Sequence, residues 1–322
     1  MNAPATSPQL VSLDAIRDAH AAIAPHVHHT PVMGSSYIGS RAGAWVVLKL
    51  ELFQKTGSFK VRGVVNTLRQ LSEEERARGV ISLSAGNHAQ ALAWGASRFG
   101  INATIVMPAN AVPSKVAATR EYGGEVIQTG GDLLATALEL QRERGLTLVH
   151  PFDDPRVIAG QGTVGMEILA QVPEVDVVIV ACGGGGLISG VAAAIKQRRP
   201  SVRVIGVEPE GADAMTRSLA AGSPQRLTSL STIADGLAAP FAGTRNLAHC
   251  QAFVDDWFLV SDAEIIDAMR VLMERCKLLP EPAGAAAVVP LLTGRLLLPP
   301  GATVVPIICG GNVDLDRLKG IL

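Results

Sequence analysis

Apolar residues recur along this chain in short runs rich in valine and isoleucine. Each run is followed by a break and then by apolar positions at helical spacing. The runs predict buried strands and the spaced positions amphipathic helices. Ser12 opens a helix through S-L-D-A-I-R-D-A-H-A-A-I, ended before Pro25, and W-V-V-L-K-L-E at residues 45–51 reads as a strand. From there the two patterns alternate. V-I-S-L-S leads to a helix beginning near Asn87, N-A-T-I-V-M-P to one from Pro113, and E-V-I-Q-T to one over roughly 131–143. V-D-V-V-I-V-A, R-V-I-G-V-E-P and T-V-V-P-I-I-C follow, each ahead of glycine and a helix. Short apolar strands alternating with helices predict an α/β fold with parallel sheets covered by helices on both faces. P-F-D-D-P at residues 151–155 is the sharpest punctuation and marks a crossing between two lobes. A site between lobes, at the carboxyl ends of parallel strands, is the expected geometry. The polar opening, Met1 to Gln9, is expected to be disordered.

One stretch competes with this picture. Val177 to Ile195 holds nineteen consecutive residues without a charge, long enough to suggest a membrane span. Four successive glycines in its middle argue against one continuous helix, because glycine is poor in helix interiors. The stretch divides instead into a strand, V-V-I-V-A, a glycine turn and a helix, L-I-S-G-V-A-A-A-I.

Composition narrows the partners. The 322 residues carry a net charge of −1, so no electrostatic case exists for nucleic-acid or anionic-membrane binding. Aromatic residues are only 4%, too few for a base-stacking surface. Cys182, Cys250, Cys276 and Cys309 lie far apart, without the spacing of a zinc site or a disulfide framework. With a polar N-terminus lacking an apolar signal core, a reduced cytoplasmic setting is expected.

Four segments carry candidate chemistry. Lys60 lies in K-T-G-S-F-K-V-R-G, in the first turn of a predicted helix that Ser58 is placed to cap. An ammonium is disfavoured at the positive end of a helix dipole, so Lys60 is either a solvated lysine at small cost or an amine tied up as an imine. G-G-G-G-L-I-S-G, Gly183 to Gly190, joins a strand to a helix, where bare backbone N–H groups suit a phosphate. A dinucleotide fingerprint cannot be placed in this run, and no lysine follows as in a nucleotide-triphosphate loop. S-A-G-N-H-A-Q brings Ser84, Asn87 and His88 to another strand-to-helix turn, a cluster suited to a carboxylate. Cys309 ends the strand before Gly310 and Gly311, where it is either a small buried residue or part of a site.

Together these segments resemble the pyridoxal-phosphate enzymes of the tryptophan-synthase-β fold type (fold type II), and within it the serine/threonine dehydratase and serine racemase family. The resemblance runs from H-T-P-V at residues 29–32 to C-G-G-N-V-D at 309–314, through H-P-F-D-D-P-R-V-I-A-G-Q-G-T-V, T-I-A-D-G and E-P-A-G-A. It implies that Lys60 holds the cofactor as a Schiff base, with Phe59 against the cofactor ring. Gly183, Gly184, Gly185, Gly186 and Leu187 would cradle the phosphate, Asn87 would face the ring's 3-oxygen, and Cys309 would face the pyridine nitrogen. Ser84, Ala85, Asn87 and His88 would form the substrate-carboxylate turn. Residues 1–77 and 156–322 would make the larger, cofactor-binding domain and 78–155 the smaller one. A homodimer acting on a small amino acid is also implied.

Departures from the family pattern sharpen the expectation. A neutral thiol at Cys309 cannot stabilise a pyridinium as a carboxylate does, which favours prompt elimination over a long-lived carbanion. Related racemases carry serine where this chain has Ala85, so a two-base racemisation lacks its second base. The expected activity is therefore dehydration of an L-β-hydroxy amino acid, threonine, serine or a bulkier analogue, to a 2-oxo acid and ammonia. The alternatives are a serine racemase or bifunctional racemase/dehydratase, a β-replacement synthase, and a non-catalytic cofactor carrier or sensor. No bound metal is expected: Glu208 and the Ala212 carbonyl are available to a divalent cation, but Ala214 stands where a second carboxylate would be needed. His26, His28 and His29 read as surface residues. The chain ends at Leu322, and no isoleucine-binding regulatory domain is expected.

Overall fold

The computed structural model describes residues 8–321. The expectation of disorder for Met1 to Ser7 lies outside that range. Among the described residues ten strands form two sheets: β1 (Val32–Gly34), β2 (Trp45–Lys49), β3 (Val80–Leu83), β4 (Ala103–Pro108), β5 (Glu125–Thr129), β6 (Thr147–Leu148), β7 (Val177–Ala181), β8 (Arg203–Pro209), β9 (Asp256–Val260) and β10 (Thr303–Pro306). The six-stranded sheet has the order β1-β2-β10-β7-β8-β9 and the four-stranded sheet β5-β4-β3-β6. Every pairing is parallel except β1 with β2, where Val32 faces Lys49 in antiparallel register. That edge pair was not legible as an alternation of strand and helix, because β1 is too short to carry a period.

The uncharged stretch divides as its glycines require. β7 is buried at every position, and the helix Gly186–Lys196 follows after the turn. Among the described residues no helix is long and apolar enough to cross a membrane. Ser12 caps the first helix, Leu13–Ile23, its side chain accepting from the Ala15 amide. Asp154 caps the long helix Pro155–Gln171, whose first position is the proline that P-F-D-D-P supplies. Two expectations fail locally. The strand from Trp45 stops at Lys49, and Glu51 begins a 3₁₀ turn. Ser58 does not cap the helix Lys60–Leu68. Its backbone is extended and bridges Gly310, its hydroxyl is buried without a partner, and Phe59 takes the cap position. Tertiary pairing to the end of β10 overrides the local capping preference.

All four strands of the smaller sheet come from residues 80–148. Its core nonetheless draws in earlier residues: Ile23, Val61, Val64, Val65 and Leu68 pack with Ala89, Leu92 and Ala96 of the helix Asn87–Arg98. The lysine-bearing helix Lys60–Leu68 thus lies between the two sheets.

Beneath that helix is a charged layer. Arg62 donates to Glu51 at 2.8 Å and to Glu167 at 2.6 Å, and Lys49 meets Glu167 at 2.6 Å, with all four side chains at most 3% exposed. Lys49 also donates to the Thr30 carbonyl and the Gln171 side-chain oxygen. Two cations and two anions balance, and these hydrogen bonds offset the desolvation that isolated buried charges would suffer.

Candidate functional site

The carboxyl ends of β3, β7 and β10 converge on a cavity of about 860 Å³, which the SAGNH turn, the glycine run and Cys309 all line. The sequence-predicted residues Phe59, Lys60, Ser84, Ala85, Asn87, His88, Gly183 to Leu187 and Cys309 all border it.

Lys60 enters from the segment between β2 and β3, and that segment is fastened to β10. The Phe59 amide donates to the Cys309 carbonyl at 3.1 Å, and the Gly311 amide to the Gly57 carbonyl at 2.9 Å. The Lys60 amine donates to the Pro151 carbonyl at 2.9 Å and lies 5.2 Å from the centre of the Phe59 ring. Burial disfavours its charged form and lowers its pKa to about 8, with the Cys309 and Glu281 side chains opposing the shift. The amine can therefore lose its proton near neutrality, as an imine-forming lysine must.

The glycine run fits an anion. Gly185 has φ +99°, which strains any other residue, and a Cβ there would meet Met215 and Asn246 at 2.6 and 2.7 Å. A Cβ on Gly184 would meet the Phe152 ring at 2.5 Å. Side chains are thus excluded from the turn, and the first-turn N–H groups of the helix Gly186–Lys196 lack intrahelical acceptors. These amides and the positive end of the helix are the chemistry a phosphate monoester needs. Asn246 steadies the turn by donating to the Ser189 hydroxyl and the Phe152 carbonyl.

The SAGNH turn is less open than its sequence suggests. Ser84 accepts from the Gly86 amide through its hydroxyl. The His88 ring is buried, and its Nε2 contacts the Ser82 hydroxyl at 3.0 Å and the Val149 carbonyl at 3.1 Å. Because Ser82 already donates to that carbonyl, Nε2 carries the proton donated to Val149, and Nδ1 is left unpartnered. Burial and the nearby Lys60 charge lower the His88 pKa to about 3, so the ring is neutral. The expectation of a histidine side chain held out to a ligand is corrected: the His88 ring locks the turn against β3. Ala85 lines the cavity without any polar group.

Cys309 is buried, and its thiol donates to the Ala283 carbonyl at 3.4 Å. Burial and the adjacent Glu281 raise its pKa, so the wall it forms is uncharged. Glu281 itself escaped sequence reading, as did Asn312. Glu281 lines the cavity and accepts from the Asn87 amide nitrogen at 2.6 Å, while Asn312 donates to the Asn87 oxygen at 2.9 Å. Burial, reinforced by the Asp235 charge, raises the Glu281 pKa to about 7. His150 and Phe152 also line the cavity, their rings edge to face at 4.6 Å. Only the family segments E-P-A-G-A, C-G-G-N and H-P-F-D-D-P pointed to these residues, without roles.

Glu208 has a structural use. Its carboxylate accepts from the Met215 and Thr216 amides and the Thr216 hydroxyl, capping the helix Ala214–Ala221. Among the described residues no group of three or more His, Cys, Asp or Glu side chains is placed to hold a metal. His26, His28 and His29 are exposed.

Comparison with known proteins agrees with this geometry. Residues 23–310 match the family model of the pyridoxal-phosphate dependent enzymes. An L-threonine ammonia-lyase from Thermotoga maritima is 44% identical over 316 residues, 97% of this chain and 78% of that protein. A catabolic L-threonine dehydratase from Staphylococcus aureus is 44% identical over 319 residues, 97% of this chain and 92% of that one. Among solved structures, maize serine racemase superposes with a TM-score of 0.93 at 42% identity, covering 97% of each chain.

Proposed function

The chain belongs to the pyridoxal-phosphate dependent enzymes, and from that premise we propose that it removes water from an L-β-hydroxy amino acid, giving a 2-oxo acid and ammonia. L-Threonine and L-serine are the first substrates to expect. The observation that carries the reading is the Lys60 amine, drawn out of water at the cavity wall and held by one carbonyl beside a glycine cradle. When bound, pyridoxal phosphate supplies the electron sink that makes an α-proton removable.

The residues of the chain divide the remaining work. The glycine run and the helix behind it would hold the phosphate through backbone N–H groups. The Ser84 hydroxyl and the first-turn amides of the helix Asn87–Arg98 offer donors to the substrate carboxylate. Lys60 Nζ, with its pKa brought down by desolvation, is placed to accept the α-proton. Cys309 Sγ keeps its own proton and adds no negative charge where the ring nitrogen would lie, which favours early loss of the β-hydroxyl. Phe152, Leu187 and Phe59 give the cavity apolar walls that limit water.

The likeness to maize serine racemase favours racemisation as a second reading, and Ala85 weighs against it. The reading extends to a larger lobe of residues 1–77 and 156–322, a smaller lobe of 78–155, a homodimer and a cytoplasmic setting. Light scattering and cell fractionation test the last two.

The test is a panel of serine, threonine and bulkier 3-hydroxy amino acids with detection of 2-oxo acid. Oxo acid from L-threonine or L-serine, with little D-serine formed, is the expected result. Racemisation without oxo acid, or no turnover across the panel, would overturn the proposal.

A further inference from the structure

A chain of hydrogen bonds ties Thr56, Asn312, Asn87 and Glu281 together at the cavity wall. It begins at the Thr56 carbonyl, which accepts from the Asn312 amide nitrogen at 2.7 Å. Asn312 donates again to Asn87 Oδ1 at 2.9 Å, and Asn87 Nδ2 donates to Glu281 Oε1 at 2.6 Å. The direction of the chain is forced from the Thr56 end. A peptide carbonyl can only accept, so Asn312 must turn its amide nitrogen toward Thr56 and, through its second hydrogen, toward Asn87. Asn87 must then present oxygen to Asn312 and nitrogen to the carboxylate oxygen. Of the two Asn87 amide hydrogens one is taken by Glu281, and the other is left for the cavity that Asn87 lines.

The surroundings hold this arrangement at some cost. Thr56 has φ 60°, uncommon for a β-branched residue, and its buried hydroxyl has no partner. Gly57 has φ +72°, and a Cβ there would meet Asn312 Oδ1 at 2.3 Å. The Glu281 oxygen lies so close to Gly310 that a Cβ there would meet it at 2.3 Å. The K-T-G segment before Lys60 and the G-G-N segment after Cys309 are therefore both shaped to the carboxamide chain.

We propose that Glu281 is a positioning residue. It fixes the Asn87 carboxamide so that a single N–H is aimed at the bound cofactor, and Asn312 is the second anchor. The inference rests on the functional reading above, in which Asn87 faces the cofactor ring. It requires only an acceptor oxygen at position 281, not a negative charge.

The test is a titration of the full chain, freed of cofactor, with pyridoxal phosphate, following its dissociation constant and its visible band. Glu281→Ala should weaken binding about tenfold, the scale of one lost hydrogen bond, and shift the band. Glu281→Gln keeps an acceptor oxygen and should restore both. Asn87→Ala should weaken binding to a similar degree, and adding Glu281→Ala should cause no further loss. Asn312→Ala strips the other anchor, leaves Glu281 in place and should also weaken binding, so the inference does not depend on one variant folding. A Gln variant as poor as Ala, additive losses in the double variant, or unchanged binding in Asn312→Ala would overturn it. A wild-type chain that takes up no pyridoxal phosphate would instead overturn the functional reading, and this inference with it.

Discussion

Lys49 is fully buried and Lys60 half-buried at the cavity wall; Lys49 is met by a carboxylate, a carboxamide oxygen and a carbonyl, whereas Lys60 donates to one carbonyl. Burial disfavours the charged form of each. At Lys49 the opposing Glu51 and Glu167 charges belong to a closed network in which every charge has an opposite. Beside Lys60 the Cys309 thiol keeps its proton and the Glu281 carboxyl is raised to about 7, and the amine settles at about 8. The charged layer under the lysine helix is satisfied and the cavity wall beside it is not. A fully paired cation stabilises a fold, and an underpaired one is available for chemistry.

The largest way to break this comparison is to remove Lys60. Lys60→Ala should lower turnover by at least ~10³-fold while thermal stability stays the same or rises, since a poorly paired, half-buried amine is lost. Calorimetry and the oxo-acid assay, run on one preparation, check both halves. Glu167→Ala should do the opposite, costing about 3–5 kcal/mol of stability because Lys49 and Arg62 lose their shared partner. Denaturant unfolding measures that loss, and an unchanged midpoint would mean the layer is not a closed network.

A smaller effect separates the regions by pH. The folded-state pKa of Glu281, about 7, lies above its ordinary value of 4.5, so the folded state holds more protons than the unfolded state between those values. Its contribution to stability is present below about pH 4.5 and is lost as pH rises to about 7, by up to ~3 kcal/mol. The difference in stability between wild type and Glu281→Gln, followed across that window without cofactor, should change by that order. A flat difference would show that the carboxyl is not held neutral. The subtlest change is Ala85→Ser, which puts a hydroxyl where the cavity-lining turn has a methyl group and should raise D-serine formation from L-serine by chiral chromatography. No gain would count against Ala85 facing the substrate.

How much of this was legible follows from the distance between partners. Lys60, the glycine run and the SAGNH turn each compress their chemistry into a few consecutive residues, and each is where its motif put it. Glu281 and Asn312 act on Asn87 from 194 and 225 positions away, and no local pattern marks such a pair. The Arg62 and Glu167 pairing hides for the same reason, its two members standing 105 positions apart. Ser58 and His88 mislead in the other direction. Their local signals were a cap and a ligand, but pairing to Gly310 in one case and to Ser82 and Val149 in the other took precedence.

The most direct test of the central contrast is to load the protein with pyridoxal phosphate, reduce it with borohydride and locate the label by peptide mass spectrometry. The account predicts a single pyridoxyl group on the peptide containing Lys60, with Lys49 unlabelled under native conditions. A label on Lys49 or on another lysine, or no label despite a bound cofactor, would contradict it.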